Sequence, residues 1–570
     1  MTWLLLRIVD LFNAFAAWYY RRKYGALARQ LGRLPHEQDG QQGFVILELD
    51  GVAYDYLRQA IRQGYMPYLS RLVTNRRLRL ARWRCGLPST TPASQAGILY
   101  GNNWDIPGFR WYDKETQSSI MCKLPGTVRA IQERISAGRA GLLRGGSSYT
   151  NMFDGDARLA LFTLSAVGRD HLLENVRGLG FLILFSLDPI RLLKVIGLSL
   201  WTWLVYVAKR FASVLLPSTS HFTFFGPLWQ IFMNIIFREV TTFSVMVDIY
   251  RGMPAIYASY NGYDEIAHHF GADSPEAFRA LRGIDKQIRQ IDRMRQVYLR
   301  REYDLYILSD HGMTPAIPFQ QAYGSSLQDW VAAHTGQAVH SGEESEGAPE
   351  ARVHFLLEEI RGLEARHHTA LSARVLRATR QRLEEHLLAE MLNAEWDLSR
   401  RSDIAIRNSG PLSHVYFEVT PRPMDLSEVA LLYPGLLEAL VAHEGIGVVV
   451  GREGAQVVIA GQHGTLWAGP EGSRLEGKSP LAHLPQPDWA AAQVARVARF
   501  PHAGDLILFG AWDGERVVTF EGQVATHGGL GGPQDWPFLA FPPGERLAPG
   551  GIENAEEVYS RLARAYGSYE

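Results

Sequence analysis

Three apolar runs in this chain end abruptly in side chains that suit a metal. Leu305-Tyr306-Ile307-Leu308 stops at Ser309-Asp310-His311-Gly312, and Phe44-Val45-Ile46-Leu47-Glu48-Leu49 stops at Asp50-Gly51. Pro254-Ala255-Ile256-Tyr257-Ala258-Ser259-Tyr260 runs into Asn261-Gly262-Tyr263-Asp264-Glu265-Ile266-Ala267-His268. Short continuous apolar runs of this kind predict buried strands, and open α/β sheets place their chemistry at strand carboxyl ends. The pattern predicts an α/β fold: a mixed, mostly parallel central sheet flanked by helices. Leu412 to Val419 and Asp505 to Phe509 read as further strands, and Val558, Leu562 and Ala565 mark a closing helix.

Asp264 and His268 are four apart, so one helical turn puts both on one face. Thr526-His527-Gly528-Gly529-Leu530-Gly531-Gly532 adds an imidazole on a glycine-rich loop. The collected set is Asp50, Asp264, His268, Asp310, His311 and His527. Mixed carboxylate and imidazole ligands suit zinc or a similar first-row ion. The set is too large for one tetrahedral ion and would serve two divalent ions, leaving positions for a nucleophile and substrate. Each carboxylate alone could equally be a helix cap, and each histidine a solvated loop residue.

Gly86-Leu87-Pro88-Ser89-Thr90-Thr91-Pro92 reads as a loop entering a helix that runs toward Gly101. Proline suits the first helical position, which would put Thr91 at the N-cap as a capping hydroxyl. A hydroxyl at a helix N-terminus is also placed for attack on phosphorus, because the free N–H groups there hold phosphate oxygens.

Taken together, these blocks resemble the alkaline phosphatase superfamily, and within it the type I phosphodiesterase/nucleotide pyrophosphatase branch. That branch runs strand–Asp, Pro-x-x-Thr opening a helix, Asp-x-x-x-His, Asp-His-Gly-Met and a C-terminal His-Gly. Here the same order is Asp50, Pro88-Ser89-Thr90-Thr91, Asp264 to His268, Asp310-His311-Gly312-Met313 and His527-Gly528. The resemblance implies an alkaline phosphatase-like fold and two metal ions, with zinc expected. One ion would be held by Asp264, His268 and His527. The other would be held by Asp50, Asp310 and His311, with Thr91 both ligand and nucleophile; Thr90 is the alternative nucleophile, but the spacing from Pro88 and to Gly101 favours Thr91. In-line displacement through a phosphothreonine intermediate is the implied reaction, on a diester rather than a monoester. The same intermediate would serve a phospho-headgroup transferase, and a silent membrane scaffold could keep the fold without the chemistry.

The chain also departs from that branch. Relatives follow the threonine with Phe-Pro-Asn-His, whereas this sequence has Pro92-Ala93-Ser94-Gln95. The asparagine that steadies a phosphate oxygen in nucleotide-cleaving relatives falls by counting on Tyr112, with Asn102 and Asn103 nearby; these three are the substrate-binding candidates. Cys85-Gly86-Leu87-Pro88-Ser89 lacks the Cys-x-Pro-x-Arg run of the sulfatases.

Composition bounds the partners. With 58 basic and 59 acidic residues the net charge is -1, so no global field gathers a polyanion and nucleic acid is not an expected substrate. The two cysteines exclude a disulfide scaffold. The reading divides the chain into an N-terminal amphipathic or membrane-anchoring helix (1–40), a catalytic domain (41–535) and a C-terminal tail and helix (536–570). Two inserts interrupt the domain. The first, 178–250, is hydrophobic: Val195 to Ala208 carries no charge and lies between Arg191 and Lys194 on one side and Lys209 and Arg210 on the other. At that length it falls short of the ~20 residues that cross a bilayer and matches an interfacial helix; a helical hairpin packed on the enzyme is the alternative. The second, 320–410, is expected to be a helical cap, with Leu376, Leu383, Leu387 and Met391 on one face of a long helical run. Met1 to Tyr20 carries Arg7 and Asp10 inside its apolar stripe and ends in Arg21-Arg22-Lys23, unlike a cleaved export signal. The expected place is the cytoplasmic face of a membrane, and a lipid-linked phosphoester is the expected substrate. Oligomeric state is left open.

Overall fold

The computed structural model describes residues 42–167, 237–297, 301–341, 404–544 and 549–567, with isolated positions at 195–197, 199–200, 203, 235 and 546–547. The N-terminal segment 1–40, nearly all of the hydrophobic insert up to residue 236, and the helical run 370–396 lie outside the described residues.

The central sheet has seven strands. In chain order they are β1 (Gly43–Leu49), β2 (Arg79–Arg82), β3 (Ser147–Tyr149), β4 (Leu159–Leu161), β5 (Ala255–Tyr260), β6 (Tyr303–Leu308) and β7 (Phe538–Phe541). Their spatial order is β2-β7-β6-β1-β5-β3-β4. From β6 to β4 every pairing is parallel, while β7 and β2 complete one edge in antiparallel fashion. The expected mixed, mostly parallel sheet is therefore present. All of β1 is buried, as required of a strand with helices on both sides.

Alternation along β1 assigns the two faces. Val45, Leu47 and Leu49 join the core that contains Val240, Phe243 and Val247 of helix Arg238–Arg251 and Leu281, Ile284 and Ile288 of a long helix, Pro275–Val297. Phe44 and Ile46 face the other core, with Ala93, Ala96 and Ile98 of helix Thr91–Tyr100. That helix is buried from Pro92 to Tyr100. A Cβ on Gly97 would stand 2.7 Å from the Ala555 Cβ, so the glycine lets the C-terminal segment pack directly on it.

Two boundaries differ from the sequence reading. Arg238–Arg251 was expected to close the hydrophobic insert, yet it is a core helix buried almost throughout. The segment 536–570 reads as a C-terminal tail and helix; the helix is Glu556–Tyr566, with Val558 and Leu562 in the core, but the part before it is no tail, because β7 completes the central sheet. A four-residue strand is too short to show a period.

Around the expected cap there is also a second, eight-stranded sheet. It runs Val339–Ser341, Ile404–Ser409, Leu412–Phe417, Leu506–Gly510, Ile446–Glu453, Gln456–Gly461, Gly464–Gly469, Gly472–Gly477 in space, and every pairing beyond the first is antiparallel. Of the expected cap, residues 319–341 form two short helices and a strand, and Ile404–Ser409 is a strand of this sheet. The strands expected at Leu412 and Asp505 pair with each other here, away from the central sheet. Cys85 and Cys122 are free and buried. Among the described residues, no helix is long and apolar enough to cross a membrane.

Candidate metal centre

Parallel pairing brings the carboxyl ends of β6, β1 and β5 to one edge, and each delivers a carboxylate there. Asp50 follows β1, Asp310 follows β6, and Asp264 lies in the first turn of the helix Gly262–Phe270 that follows β5. Local hydrogen bonds fix this edge. The Gly51 N–H donates to Asp310 Oδ1 at 3.3 Å, and the Val52 N–H donates to Ser309 Oγ at 2.8 Å. Gly51 has φ +73°, and a Cβ there would collide with Asp264 Oδ1. Only glycine combines that backbone with so close a carboxylate. Gly51→Ala should therefore push Asp264 away and lower bound divalent metal at least tenfold, as metal analysis of the dialysed protein would show.

The imidazoles are oriented from behind. His268 Nδ1 faces the Ala525 carbonyl at 2.9 Å, His311 Nδ1 the Gly312 carbonyl at 2.9 Å, and His527 Nδ1 the Ser89 carbonyl at 2.9 Å. Each Nδ1 must donate to its carbonyl, so Nε2 is the free ligand position of each ring: a lone pair when the ring is neutral, and in His268 an N–H toward Asp264 until a cation replaces that proton. Second-partner hydrogen bonds of this kind fix the tautomer of metal-ligating histidines. All three Nε2 atoms point at carboxylates: His268 lies 3.2 Å from Asp264 Oδ2, and His527 3.7 Å from Asp264 Oδ1. His311 Nε2 lies 3.3 Å from Asp310 Oδ2 and 3.5 Å from Asp50 Oδ1. The rings of His311 and His527 stack at 3.8 Å. Two groups have ligand atoms within 4.8 Å of one another: Asp264, His311 and His527, and Asp50, Asp310 and His311. The six residues expected to converge do converge. The difference from the expected grouping is that His311 belongs to both groups, while His268 stands beside Asp264 and the His527 ring, 5.1 Å away, without joining either group.

This is a cavity of acceptors. Asp264 Oδ1 and Asp310 Oδ2 are buried without a hydrogen-bond partner, and among the described residues no lysine or arginine forms an ion pair with these carboxylates. Protons must otherwise fill the gap. Burial, then the charges of Asp310 and Asp264, push the Asp50 carboxyl well above its usual range. Burial and Asp264 push Asp310 up to about 7. Burial alone would raise Asp264, but His268, then His527 and His311, hold it well below the usual range. Burial alone would lower His268, but Asp264 pushes it up to about 9. Burial lowers both His311 and His527. A donor set of lone pairs and buried carboxylates fits divalent cations, which would take the place of those protons.

Thr91 borders this cavity. The N-cap of its helix is Thr90, with φ -127° and ψ 151°, so Thr91 is the first helical residue and Pro92 the second. This corrects the expected cap by one position: proline is tolerated throughout the first turn, because none of those N–H groups has an intrahelical partner. The Thr91 hydroxyl is thereby released from capping. Its Oγ1 lies 3.2 Å from His311 Nε2 and 3.5 Å from Asp50 Oδ1.

The three substrate-binding candidates are engaged elsewhere. Asn102 and Asn103 follow the far end of the Thr91–Tyr100 helix, about 15 Å from Thr91 at 1.5 Å per residue. Asn102 Nδ2 donates to the Ile135 carbonyl, and the Asn103 amide bonds Asn554 and Arg496. Tyr112 is buried against Tyr416, with the Arg407 guanidinium 5.4 Å from its ring.

A residue that the sequence reading passed over is Glu48. It is fully buried and accepts hydrogen bonds from Gln95 Nε2 at 2.7 Å, Ser259 Oγ at 2.7 Å and the Tyr257 hydroxyl. Burial, then Asp310, push its carboxyl up to about 8. The signal was present: a lone acid inside an otherwise apolar strand.

Part of the chain is similar to a known family. The family model for type I phosphodiesterase / nucleotide pyrophosphatase matches residues 237–412, a span that includes Asp264, His268, Asp310 and His311. No curated protein matches the chain significantly. Among solved structures, phosphonoacetate hydrolase from Sinorhizobium meliloti 1021, in complex with phosphonoformate, is 14% identical with a TM-score of 0.46. The alignment covers 92% of this chain and 96% of that one. Murine ectonucleotide pyrophosphatase / phosphodiesterase 5, in complex with AMP, is 11% identical with a TM-score of 0.40, covering 92% of this chain and 95% of that one.

Proposed function

We propose that this chain, alkaline phosphatase-like in fold and similar to the type I phosphodiesterases and nucleotide pyrophosphatases, is a metal-dependent phosphodiesterase with Thr91 as its nucleophile. The family likeness supports a phosphoester hydrolase. What carries the finer reading is one arrangement: a threonine hydroxyl at a helix N-terminus, beside buried carboxylates and imidazole lone pairs that have no cation of their own among the described residues. Asp50, Asp310 and His311 would hold one divalent ion, and Asp264, His268 and His527 a second, with zinc the ion that best suits the donors. Such ions neutralise phosphate charge and lower the barrier to displacement at phosphorus.

The protein's own groups do the rest. Of the first turn, the N–H groups of Thr91 and Ala93 are the donors left for an incoming phosphate oxygen, since Pro92 has none and Ser94 donates to the Thr90 carbonyl. Thr91 Oγ1 attacks phosphorus, its proton passing toward Asp50 Oδ1, as the phosphorus–leaving-group bond breaks and the leaving oxygen takes a proton from solvent. Water then attacks phosphorus, the Thr91 ester bond breaks, and the hydroxyl recovers its proton. With Asn102, Asn103 and Tyr112 engaged elsewhere, no nucleotide contact is assigned. The uncharged stretch Val195 to Ala208, with Ile196, Leu200 and Trp203 exposed, supports a lipid-linked phosphoester met at the cytoplasmic face of a membrane.

Purified protein should hydrolyse bis-p-nitrophenyl phosphate at least tenfold faster than p-nitrophenyl phosphate, and chelator should abolish both activities. A preference for the monoester would overturn the diesterase reading. Liposome flotation that leaves the intact chain in the soluble fraction would overturn the membrane reading.

A further inference from the structure

Thr91 and Gln95 are four apart on their helix, and Asp50 and Glu48 are two apart along β1 and its end. The first pair shares one helix face, and the second shares one face of the sheet. Four helical residues rise about 6 Å, and two strand residues about 6.6 Å. The two spacings match, so helix and strand meet at two successive rungs. At the upper rung Thr91 Oγ1 lies 3.5 Å from Asp50 Oδ1. At the lower rung Gln95 Nε2 donates to Glu48 Oε1 at 2.7 Å.

We infer that the Glu48–Gln95 rung positions Thr91: it sets the height of the helix against β1, and so the approach of the hydroxyl to Asp50. Gln95 is held at every polar atom. Its Nε2 also reaches Ser259 Oγ at 3.3 Å, and its Oε1 accepts the Met152 N–H at 2.8 Å. Glu48 is held in turn from β5 by Ser259 Oγ and the Tyr257 hydroxyl. Ser259 Oγ also lies within hydrogen-bond distance of Asn151 Oδ1, in the segment after β3, and shares its single proton between that oxygen and Glu48. The lower rung is thus anchored to three adjacent strands, whereas at the upper rung the Thr91 hydroxyl makes, among the described residues, two contacts, at 3.2 and 3.5 Å. A helix buried along its length can still slide by a fraction of a turn over apolar neighbours; a buried carboxylate with fixed donors stops it, because losing those bonds leaves the acid unpaired. Gln95 is a positioning residue on this view, and Glu48 is its stop.

The activity arm of the test rests on the phosphodiesterase reading; the structural arm does not. Gln95→Leu should lower kcat on bis-p-nitrophenyl phosphate about 10²-fold, the loss expected of a misplacement near 1 Å. KM should stay within about threefold and bound metal at the wild-type level, the pattern of an interaction felt mainly in the transition state. Glu48→Gln keeps an acceptor for Gln95 and should recover most of that rate. A crystal structure of Gln95→Leu should show Thr91 Oγ1 displaced by about 1 Å relative to Asp50. Wild-type kcat in metal-loaded Gln95→Leu, or a Thr91 that has not moved, overturns the inference. Should that variant fail to fold, Gln95→Asn carries the same amide on a shorter stem and gives the same two readouts. If the wild-type protein cleaves no diester, the functional reading fails, while the Thr91–Asp50 separation in the variant still decides the rung.

Discussion

Thr91→Ala is expected to lower turnover of a phosphodiester by about 10⁴-fold or more, the scale on which removing a nucleophile acts. Bound metal and fold should stay unchanged. The hydroxyl is separable from both because Thr90, not Thr91, is the N-cap. Truncation therefore removes no capping bond, and a half-exposed methyl and hydroxyl contribute within about 0.5 kcal/mol to stability. Each of the two groups, Asp264-His311-His527 and Asp50-Asp310-His311, still offers three carboxylate or imidazole donors when the Thr91 hydroxyl is gone. Thr91→Ser keeps the oxygen and should retain measurable activity, and acid quench of the wild-type protein with labelled substrate should trap phosphate on Thr91. Residual activity of Thr91→Ala within tenfold of wild type would remove Thr91 from the reaction. Inactivity of both wild type and variant, with membrane or partner binding intact, would favour a silent scaffold. A labelled acceptor lipid in place of free product would favour transfer over hydrolysis.

The sequence carried the site further than it carried the architecture, and the reason is physical. Asp50, Asp264 and Asp310 sit where parallel strands end, and strands buried on both faces write themselves as unbroken apolar runs. His527 had no such run before it; only its glycine-rich loop marked it, with Gly528 at φ +111° and a Cβ there 2.7 Å from the Ser409 carbonyl. The Thr90 cap was missed by one residue because proline fits more than one position of a first turn. The second sheet was legible only in pieces. In Gly464–Gly469 no residue is fully buried, and Gly472–Gly477 is exposed throughout, so neither shows the alternation of a half-buried strand. Glu48 and Gln95 escaped notice for a different reason: their meaning lies in the match between a helical and an extended rise, which neither segment contains alone.

Removing divalent metal should cost more than activity. With Asp50 and Asp310 pushed up by burial and by neighbouring carboxylates, the metal-free cluster at neutral pH is held together by protons. Asp264 and His268 do the same as a pair, the imidazole carrying the proton. Cations that displace those protons bind more tightly as pH rises, since each proton released favours the metal-bound form at lower proton concentration. A metal at 1,000 times its dissociation constant adds about 4 kcal/mol to stability for each site it fills. Dialysis against chelator should therefore lower Tm by about 10 °C or more, at about 2–4 °C per kcal/mol for a large domain, and abolish turnover; added zinc should restore both. Calorimetric titration of zinc into the stripped protein should release protons, seen as a heat that changes with the ionisation enthalpy of the buffer. In Asp310→Asn one of the proton-holding carboxylates is gone, so both the proton release and the gain in Tm should shrink. A Tm indifferent to chelator and zinc, with no buffer-dependent heat, would mean that these lone pairs and carboxylates meet for some purpose other than holding cations, and Thr91 would then lack the neutralising charge that attack on a phosphodiester requires.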